Sequence, residues 1–197
     1  MRRLHLVIVF VLAIVLVLAG TLAILALYVL PVAYKSHHLD IMKACSDPSK
    51  KVIVRSWFQR DYNFTELCDW VHENLDFVSS NESFLEQQRS KDPVQIKESG
   101  RGWCMEFSIL YVVACLAHGY ECRLVAATEF SLLSWSDLHA WAEVRWEDHW
   151  VHVDPLMRNW DEPHVYRQWS WGKEIGLKIR IFAFEEDWSE DVTRSYV

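Results

Sequence analysis

The chain has 197 residues, a formal net charge of −7 and an isoelectric point near 5.7. An acidic chain lacks the basic face that a phosphate backbone attracts, so the composition argues against a nucleic-acid partner. Once an apolar N-terminal segment is set aside, about 160 residues remain, enough for one domain with a proper core and too few for two.

The first predicted element is a transmembrane anchor. Residues 4–33 form an almost wholly apolar segment, which as a helix rising ~1.5 Å per residue exceeds the ~30 Å hydrocarbon core of a bilayer. A cleaved signal peptide, whose apolar region spans only about 7 to 15 residues, is the alternative. Arg2 and Arg3 precede the segment and only Lys35 follows closely, which predicts a cytoplasmic N-terminus and an extracytoplasmic domain on a single-pass membrane protein.

The segments after the anchor set the predicted domain boundary. Residues 36–50 are polar and lack periodicity, so they predict a stalk between the anchor, residues 1–35, and a folded domain over residues 51–197. A capped amphipathic helix is predicted from Asn63, with Glu66 three residues on.

The second half of the chain predicts one helix followed by a sheet. Residues 79–100 are polar and broken by a proline, which predicts a loop that contains at most one short turn. Apolar positions then recur with helical spacing over residues 104–118, and Gly119 follows where a helix-ending glycine is expected. The predicted strands span 122–128, 138–146, 149–155 and 178–184. This order predicts an α+β fold.

The predicted helix begins at a cysteine, Cys104. A free thiol has a pKa of about 8.5, and both the positive end of a helix and a nearby imidazolium lower that pKa and so favour the nucleophilic thiolate. The unpaired N–H groups of the first helical turn can also stabilise an oxyanion on an attacked carbonyl. Cys104 is therefore the candidate nucleophile.

The candidate base and its orienting carboxylate lie on the predicted hairpin. His139 begins one strand and Asp154 ends the other. With a four-residue loop over residues 145–148, position 139 faces position 154, whereas a two-residue turn would shift them apart by about two residue pairs. We expect His139 to transfer protons while Asp154 orients it. Trp141 and Glu143 share the His139 face and are candidates for lining the cleft.

These residues carry a family resemblance. The helix-starting cysteine, the strand "HAWAEV" and the strand "WVHVDP" resemble the transglutaminase-like superfamily of papain-type thiol enzymes, whose triad would fall on Cys104, His139 and Asp154. Residues 91–123 and 161–196 are similar to the catalytic core of the peptide:N-glycanases. The resemblance implies a papain/transglutaminase-like fold, in which the helix bearing the cysteine packs on an antiparallel sheet.

The resemblance also implies an activity. A cysteine-dependent amidohydrolase would attack an amide carbonyl of a protein or glycoprotein through an acyl-enzyme, without a cofactor, and peptide:N-glycanase-like deglycosylation is the favoured form. Alternatives are a transglutaminase or a cysteine protease acting on envelope proteins, and a non-catalytic domain that binds glycans or proteins. Trp103, next to the nucleophile, and Trp70, about as far upstream as the indole donor of the transglutaminases, are candidate oxyanion donors.

The remaining cysteines leave two interpretations open. Cys45, Cys68, Cys115 and Cys122 form an even set that could make two disulfides in an oxidising compartment, or they are buried thiols. The paired CxxC motifs of the family's zinc site have no counterpart, so no metal is expected.

Overall fold

The computed structural model describes residues 2–24, 28–78, 90–130, 135–161 and 179–196. The helices are α1 (Arg2–Ile24), α2 (Leu30–Ser46), α3 (Pro48–Arg55), α4 (Phe64–Asn74), α5 (Pro93–Ser99), α6 (Cys104–Ala117) and α7 (Thr193–Tyr196). The strands are β1 (Asp76–Phe77), β2 (Arg101–Gly102), β3 (Cys122–Phe130), β4 (Trp135–Trp146), β5 (His149–Asp154), β6 (Asn159–Trp160), β7 (Ile179–Phe184) and β8 (Ser189–Asp191).

An antiparallel sheet with a helix on one face forms the centre of the domain. Its strands run in the order β6-β5-β4-β3-β7-β8. Helix α6 packs on β4, and Ala140, Ala142 and Val144 share one buried core with Leu110 and Val113 of the helix. Every residue of α6 from Met105 to Cys115 is buried, because a helix that is apolar on all sides is enclosed by other elements. The α+β arrangement expected from the sequence is confirmed.

The capped helix and the helix-ending glycine follow their sequence signals. Asn63 accepts a hydrogen bond from the Glu66 backbone N–H at 2.8 Å, and the Glu66 carboxylate accepts one from the Asn63 N–H at 2.9 Å. Gly119 has a φ of 83°, a left-handed conformation that glycine adopts without steric cost. Local capping chemistry therefore determines both helix ends.

The stalk predicted over residues 36–50 is wrong. Helix α2 and the start of α3 occupy this segment, and one face of α2 is buried in the domain core. The buried side chains recur with helical spacing and are Tyr34, His38, Ile41, Met42 and Cys45. The segment reads as polar because His38 interrupts the apolar face, yet the His38 ring stacks on Phe184 with centroids 4.8 Å apart. The domain therefore includes Tyr34 and does not begin near Lys51.

The loop predicted over residues 79–100 contains a short helix. Residues 79–89 lie outside the described ranges. Asp92 caps α5 by accepting a hydrogen bond from the Val94 N–H at 2.9 Å, and Pro93 occupies the first helical position, where its missing N–H costs nothing. Gly100 ends the helix with a φ of 62°. Pro93 thus starts a helix here instead of breaking one.

Most of the apolar segment 4–33 lies in α1 and the start of α2, while residues 25–27 fall outside the described ranges. Every residue from Phe10 to Ile24 is exposed. Across the part of the chain that the structure describes, no helix combines the length and the apolar character that a membrane span requires.

The hairpin turn is tighter than the four-residue loop predicted over residues 145–148. Trp146 pairs with His149, so only Glu147 and Asp148 form the turn, and Glu147 has a φ of 52°. The tight turn keeps Arg145 in the strand ladder, opposite Trp150. Ala142 pairs with Val153 in consequence, so the predicted register, with 139 directly facing 154, is wrong by two positions.

Candidate active site

Cys104 is the first residue of α6, as the sequence predicts. Trp103 precedes it in an extended conformation, and the Trp103 backbone N–H donates a hydrogen bond to Glu106 Oε2 at 3.0 Å. The Phe107 N–H donates to the Trp103 carbonyl at 3.0 Å. These bonds fix the first turn of α6, where the N–H groups without an intrahelical acceptor give the helix end its positive character.

The chain that leads into Cys104 is held from the other side by β1. Phe77 pairs with Gly102 in the parallel β1–β2 ladder, and the Val78 N–H donates to the Gly102 carbonyl at 3.1 Å. A Cβ atom on Gly102 would lie 2.6 Å from the Cβ of Glu106, which is closer than two carbon atoms approach. Glycine at this position therefore lets β2 and the start of α6 come together.

His139 and Asp154 are hydrogen-bonded, with Nε2 of the imidazole 2.5 Å from Oδ2 of the carboxylate. Asp154 is fully buried, and its Oδ1 accepts hydrogen bonds from the Leu156 and Met157 backbone N–H groups at 3.1 Å each. Two backbone donors and the imidazole therefore satisfy a carboxylate that would otherwise be costly to bury.

The Cys104 side chain lies close enough to His139 to affect its pKa, so the three side chains named from the sequence meet at the start of α6. Burial by itself lowers the pKa of His139, but the hydrogen bond with Asp154 and the interaction with Cys104, together with the negative charges of both groups, outweigh burial and raise that pKa to about 9. A protonated imidazole at this position places a positive charge beside the sulfur of the candidate nucleophile.

A β-bulge lies immediately before His139. Ala127 pairs with His139 whereas Thr128 pairs with Asp137, so Leu138 is the extra residue on β4. A bulge changes which face of the sheet the next side chains occupy, and bulges recur beside active sites for this reason. The bulge at Leu138 therefore defines the face on which His139, Trp141 and Glu143 lie.

The two cleft candidates on the His139 face are buried. Trp141 is fully buried and stacks beside His139 with ring centroids 5.9 Å apart. Glu143 is 5% exposed and accepts a hydrogen bond from Arg123 Nε at 2.6 Å. Both lie on the expected face, beneath the surface of the domain.

The candidate oxyanion donors occupy different places. Trp103 is half-buried at the start of α6, directly beside Cys104. The Trp70 ring lies against Trp57 and Phe58, with centroids 6.1 and 4.6 Å away. The role of either indole as an oxyanion donor stays a prediction.

Four residues near the site carry interactions that the sequence reasoning missed, namely Glu106, Arg123, His152 and Tyr196. Glu106 could have been found from the sequence, because a glutamate three residues after the N-cap residue is typical of a capping box. Arg123 and His152 lie on strands where burial of a polar side chain has no local signature. Tyr196 meets Trp141 from 55 residues away, a contact that no local pattern predicts.

The cysteines other than Cys104 are buried free thiols, which is the second of the two interpretations left open by the sequence. Burial raises the pKa of both Cys45 and Cys68 to about 12. In the ranges that the structure describes, no cluster of three metal-binding side chains occurs. Cys104 is the one cysteine of the five that is partly exposed.

Residues 59–155, which include all three site residues, match the family model described as Transglutaminase-like superfamily. This segment, just under half of the chain, is similar to the transglutaminase-like superfamily. The match ends at Pro155, directly after Asp154, so the transglutaminase-like core spans α4 to β5 of the structure.

The chain is also similar in sequence to curated proteins of one name from several organisms. The transglutaminase-like chain is 29% identical over 171 residues to the peptide-N(4)-(N-acetyl-beta-glucosaminyl)asparagine amidase of Yarrowia lipolytica, covering 72% of this chain and 44% of that protein. Proteins of the same name from Gallus gallus and Saccharomyces cerevisiae are 33% and 29% identical, and each alignment covers 55% of this chain. These two alignments cover 15% and 27% of the relatives. The transglutaminase-like chain thus spans less than half the length of the relatives it matches.

A solved structure is also similar. A candidate cysteine protease from Cytophaga hutchinsonii aligns with a TM-score of 0.42 and 14% identity. The alignment covers 79% of the transglutaminase-like chain and 56% of the other protein.

Proposed function

We propose that this protein is a cysteine-dependent amidohydrolase that uses Cys104 as its nucleophile. The observation that carries the proposal is the contact of Cys104 with His139, whose Nε2 is 2.5 Å from Asp154 Oδ2. A sulfur at a helix start, an imidazole and a buried carboxylate are the three groups that thiol acyl transfer needs.

The first half of the proposed reaction forms an acyl-enzyme. The Cys104 thiolate attacks the carbonyl carbon of the substrate amide, and the electron pair of the C=O bond moves to oxygen. The N–H groups at the start of α6 are oriented to stabilise that oxyanion. When the carbonyl re-forms, His139 donates its proton to the departing nitrogen, which leaves as an amine while the acyl group remains on sulfur as a thioester.

The second half releases the acid. Neutral His139 takes a proton from a water molecule, which attacks the thioester, and the sulfur departs as thiolate. Asp154 holds the imidazole in one orientation and stabilises its protonated form. The carboxylate makes two further hydrogen bonds with the backbone N–H groups of Leu156 and Met157, so it keeps its position through both halves.

The substrate that we propose is the amide of a glycosylated asparagine in a protein or glycopeptide. The support is the similarity to peptide-N(4)-(N-acetyl-beta-glucosaminyl)asparagine amidases from several organisms. On that substrate, the two half-reactions yield aspartate in the peptide and the glycan as a glycosylamine.

Purified full-length protein in detergent, incubated with a defined N-glycopeptide, tests this proposal. Mass spectrometry of the peptide should show asparagine converted to aspartate with release of an intact glycan. Cys104→Ala should abolish the conversion. Cys115→Ala is the matched control, because Cys115 lies on the same helix but is buried, and this variant should keep the activity.

Other outcomes would assign a different function. Cleavage of the peptide backbone indicates a protease, and incorporation of an amine at glutamine indicates a transglutaminase. No product in any of these assays, together with a Cys104 thiol unreactive to iodoacetamide at pH 6, indicates a non-catalytic binding domain.

We further propose that residues 4–33 anchor the protein in a membrane, with the N-terminus in the cytoplasm and the domain on the other side. The support is the sequence of residues 4–33 taken as one continuous apolar segment, whereas the described helices within it do not by themselves meet the requirement for a span. Exposed aliphatic and aromatic side chains on α1, among them Phe10, Leu16 and Val17, are unfavourable in water and favourable in lipid.

Fractionation and protease protection test the anchor. The full chain should stay with the membrane after alkaline carbonate extraction. Replacing Leu16 and Val17 with Lys should release it, because a charge at the centre of a spanning helix costs about 2.5–3.5 kcal/mol. Val52→Lys and Ile53→Lys, two exposed positions on α3, are the control and should leave the protein in the membrane. Digestion of the domain by protease added to the cytoplasmic side of sealed membrane vesicles would contradict the proposed orientation.

A further inference from the structure

A chain of buried hydrogen bonds runs from Trp141 to Arg123 on the His139 face of the sheet. The indole Nε1–H of Trp141 donates to the Tyr196 hydroxyl at 3.0 Å. The Tyr196 hydroxyl donates in turn to Glu143 Oε1, and Arg123 Nε donates to Glu143 Oε2 at 2.6 Å. All four side chains are buried, and none is more than 5% exposed.

The direction of these hydrogen bonds is determined by chemistry. An indole can only donate and an ionised carboxylate can only accept, so the Tyr196 hydroxyl between them must do both. Burial, followed by the charge and the hydrogen bond of Glu143, raises the pKa of Tyr196 far above its ordinary value. The hydroxyl therefore keeps its proton and its role as the link between Trp141 and Glu143.

The position of Tyr196 does not depend on its hydroxyl. Helix α7, which carries Tyr196, is tied to β7 through Thr193, whose hydroxyl accepts a hydrogen bond from the Ile181 N–H at 2.9 Å. The Val192 N–H donates to the Ile181 carbonyl at 2.9 Å. The aromatic ring also packs against Trp141, with centroids 5.1 Å apart. A variant that lacks only the hydroxyl is thus expected to fold with the ring in place.

At the other end of the chain of bonds, Trp141 forms a wall against His139. The two rings are stacked with an interplanar angle of 28° and centroids 5.9 Å apart. The centroid of the Trp141 ring also lies 5.6 Å from that of the His152 ring. The indole therefore limits how the imidazole can turn out of the plane in which it meets Cys104 and Asp154.

We infer that Tyr196 is a positioning residue, whose hydroxyl fixes the Trp141 indole and thereby the His139 imidazole against Cys104. The inference rests on the proposed function, since it concerns the same three side chains. It assigns the C-terminal turn α7 a part in the site, although α7 lies outside the segment that matches the family model.

The test is the rate at which iodoacetamide alkylates Cys104 in the full-length protein, followed by peptide mapping from pH 5 to pH 10. This reaction reports the thiolate and its imidazolium partner without requiring the correct substrate. Tyr196→Phe should slow alkylation at pH 7 by about tenfold, since a misplacement of about 1 Å can cost up to 10²-fold. The pH above which alkylation becomes fast should also rise, because a displaced imidazolium stabilises the thiolate less.

Tyr111→Phe is the matched control. Tyr111 is fully buried on α6, and its hydroxyl donates to the Phe64 carbonyl at 3.0 Å. Tyr111→Phe thus loses a buried hydrogen bond away from His139, and it should lower the melting temperature with the alkylation profile unchanged. Trp141→Phe is a second probe that removes the indole donor. The double variant with Tyr196→Phe should be no slower than the slower single variant, because both remove the same link.

The outcomes separate this inference from the proposed function. If Tyr196→Phe alkylates at the wild-type rate across the pH range, Tyr196 is purely structural and the inference is overturned. If the His139→Ala variant alkylates Cys104 at the wild-type rate, the proposed triad and the inference are both overturned. If the protein fails to deglycosylate but alkylation depends on His139 and Tyr196, the substrate is wrong and the positioning role holds.

Discussion

His139 Nε2 lies 2.5 Å from Asp154 Oδ2, although the two residues are not directly opposite each other in the β4–β5 hairpin. The ladder pairs Ala142 with Val153, so continuing it would place Asp154 across from Trp141. Neighbours that are diagonal across two antiparallel strands are about 7–8 Å apart, within the reach of a long or aromatic side chain. The imidazole spans that diagonal, and the tight turn at Glu147 does not prevent the contact.

The first prediction concerns that contact. Asp154→Asn removes the charge that helps to hold the pKa of His139 at about 9, and this pKa should fall toward its ordinary value near 6.5. The raised pKa keeps the His139 imidazole protonated up to a higher pH. When the pKa falls, the imidazolium that donates a proton to the leaving nitrogen should disappear at a lower pH. We expect Cys104 alkylation at pH 7.5 to slow by roughly 100-fold or more.

The matched control for Asp154→Asn is Asp69→Asn, which removes a surface ion pair with Arg158. This variant should keep the wild-type pH profile. An Asp154→Asn alkylation profile that coincides with that of the wild type would show that the carboxylate does not set the protonation of His139.

A second prediction concerns stability in acid. Burial lowers the pKa of His152 to about 4, Asp154 opposes this shift, and the charge on His139 adds to it. The unfolded chain binds this proton near pH 6.5 and the folded chain only near pH 4. Stability is therefore fully present above pH 6.5 and is lost as the pH falls toward 4, by an order-of-magnitude amount of about 3 kcal/mol.

Urea unfolding at pH 7.5 and pH 5 measures this loss. His152→Gln should reduce the difference in unfolding free energy between the two pH values. His149→Gln, at an exposed position on the same strand, should leave the difference as it is. Equal pH dependence in all three proteins would mean that His152 is not the group that takes up the proton.

A third prediction concerns the approach to the nucleophile. Gly102→Ala introduces a methyl group 2.6 Å from the Cβ of Glu106, and we expect it to lower the free energy of unfolding by about 1–3 kcal/mol. It should also slow Cys104 alkylation, since the first turn of α6 has to shift. Chemical denaturation and alkylation kinetics measure the two effects.

The partner variant shows whether the clash is the cause. Glu106→Ala retains the Cβ and should not relieve Gly102→Ala, whereas Glu106→Gly removes that atom and should. If Gly102→Ala costs as much in the Glu106→Gly background as in the wild type, close contact is not the reason for glycine at position 102.

A fourth prediction concerns α2, which includes most of residues 36–50, the segment predicted from the sequence to be a stalk. Ile41 is 1% exposed in the domain core, so Ile41→Ala should lower the free energy of unfolding by about 2–5 kcal/mol. Ile53→Ala is the matched control, because Ile53 on α3 is 42% exposed, and it should cost less than about 1 kcal/mol. Urea unfolding of both variants compares them, and equal small effects would return residues 36–50 to the role of a stalk.

The elements that the sequence predicts correctly are those with strong local signals. The Asn63 cap, the apolar helix that follows Cys104 and the glycine at its end each depend on groups within a few residues of each other. The hairpin strands were also recognisable, but the length of their turn was not. Whether Arg145 joins the ladder depends on its pairing with Trp150, which a single strand does not reveal.

Helix α2 is not predicted from the sequence, for a different reason. Its buried face carries His38, a polar residue that is expected at the surface when the sequence is considered alone. In the structure the imidazole is buried because it stacks on Phe184. A partner 146 residues away along the chain thus decides whether the segment is core or stalk.

The candidate nucleophile and its helix, together with the candidate base and its carboxylate, can be found from the sequence, because each stands at a position that local periodicity and capping identify. The folded structure is needed to show that Trp141 and Glu143 are buried, that Tyr196 joins them, and that α2 belongs to the core. Burial and long-range hydrogen bonds depend on which surfaces meet after the chain folds. A one-dimensional pattern records the spacing of side chains along the chain and not the partners that cover them.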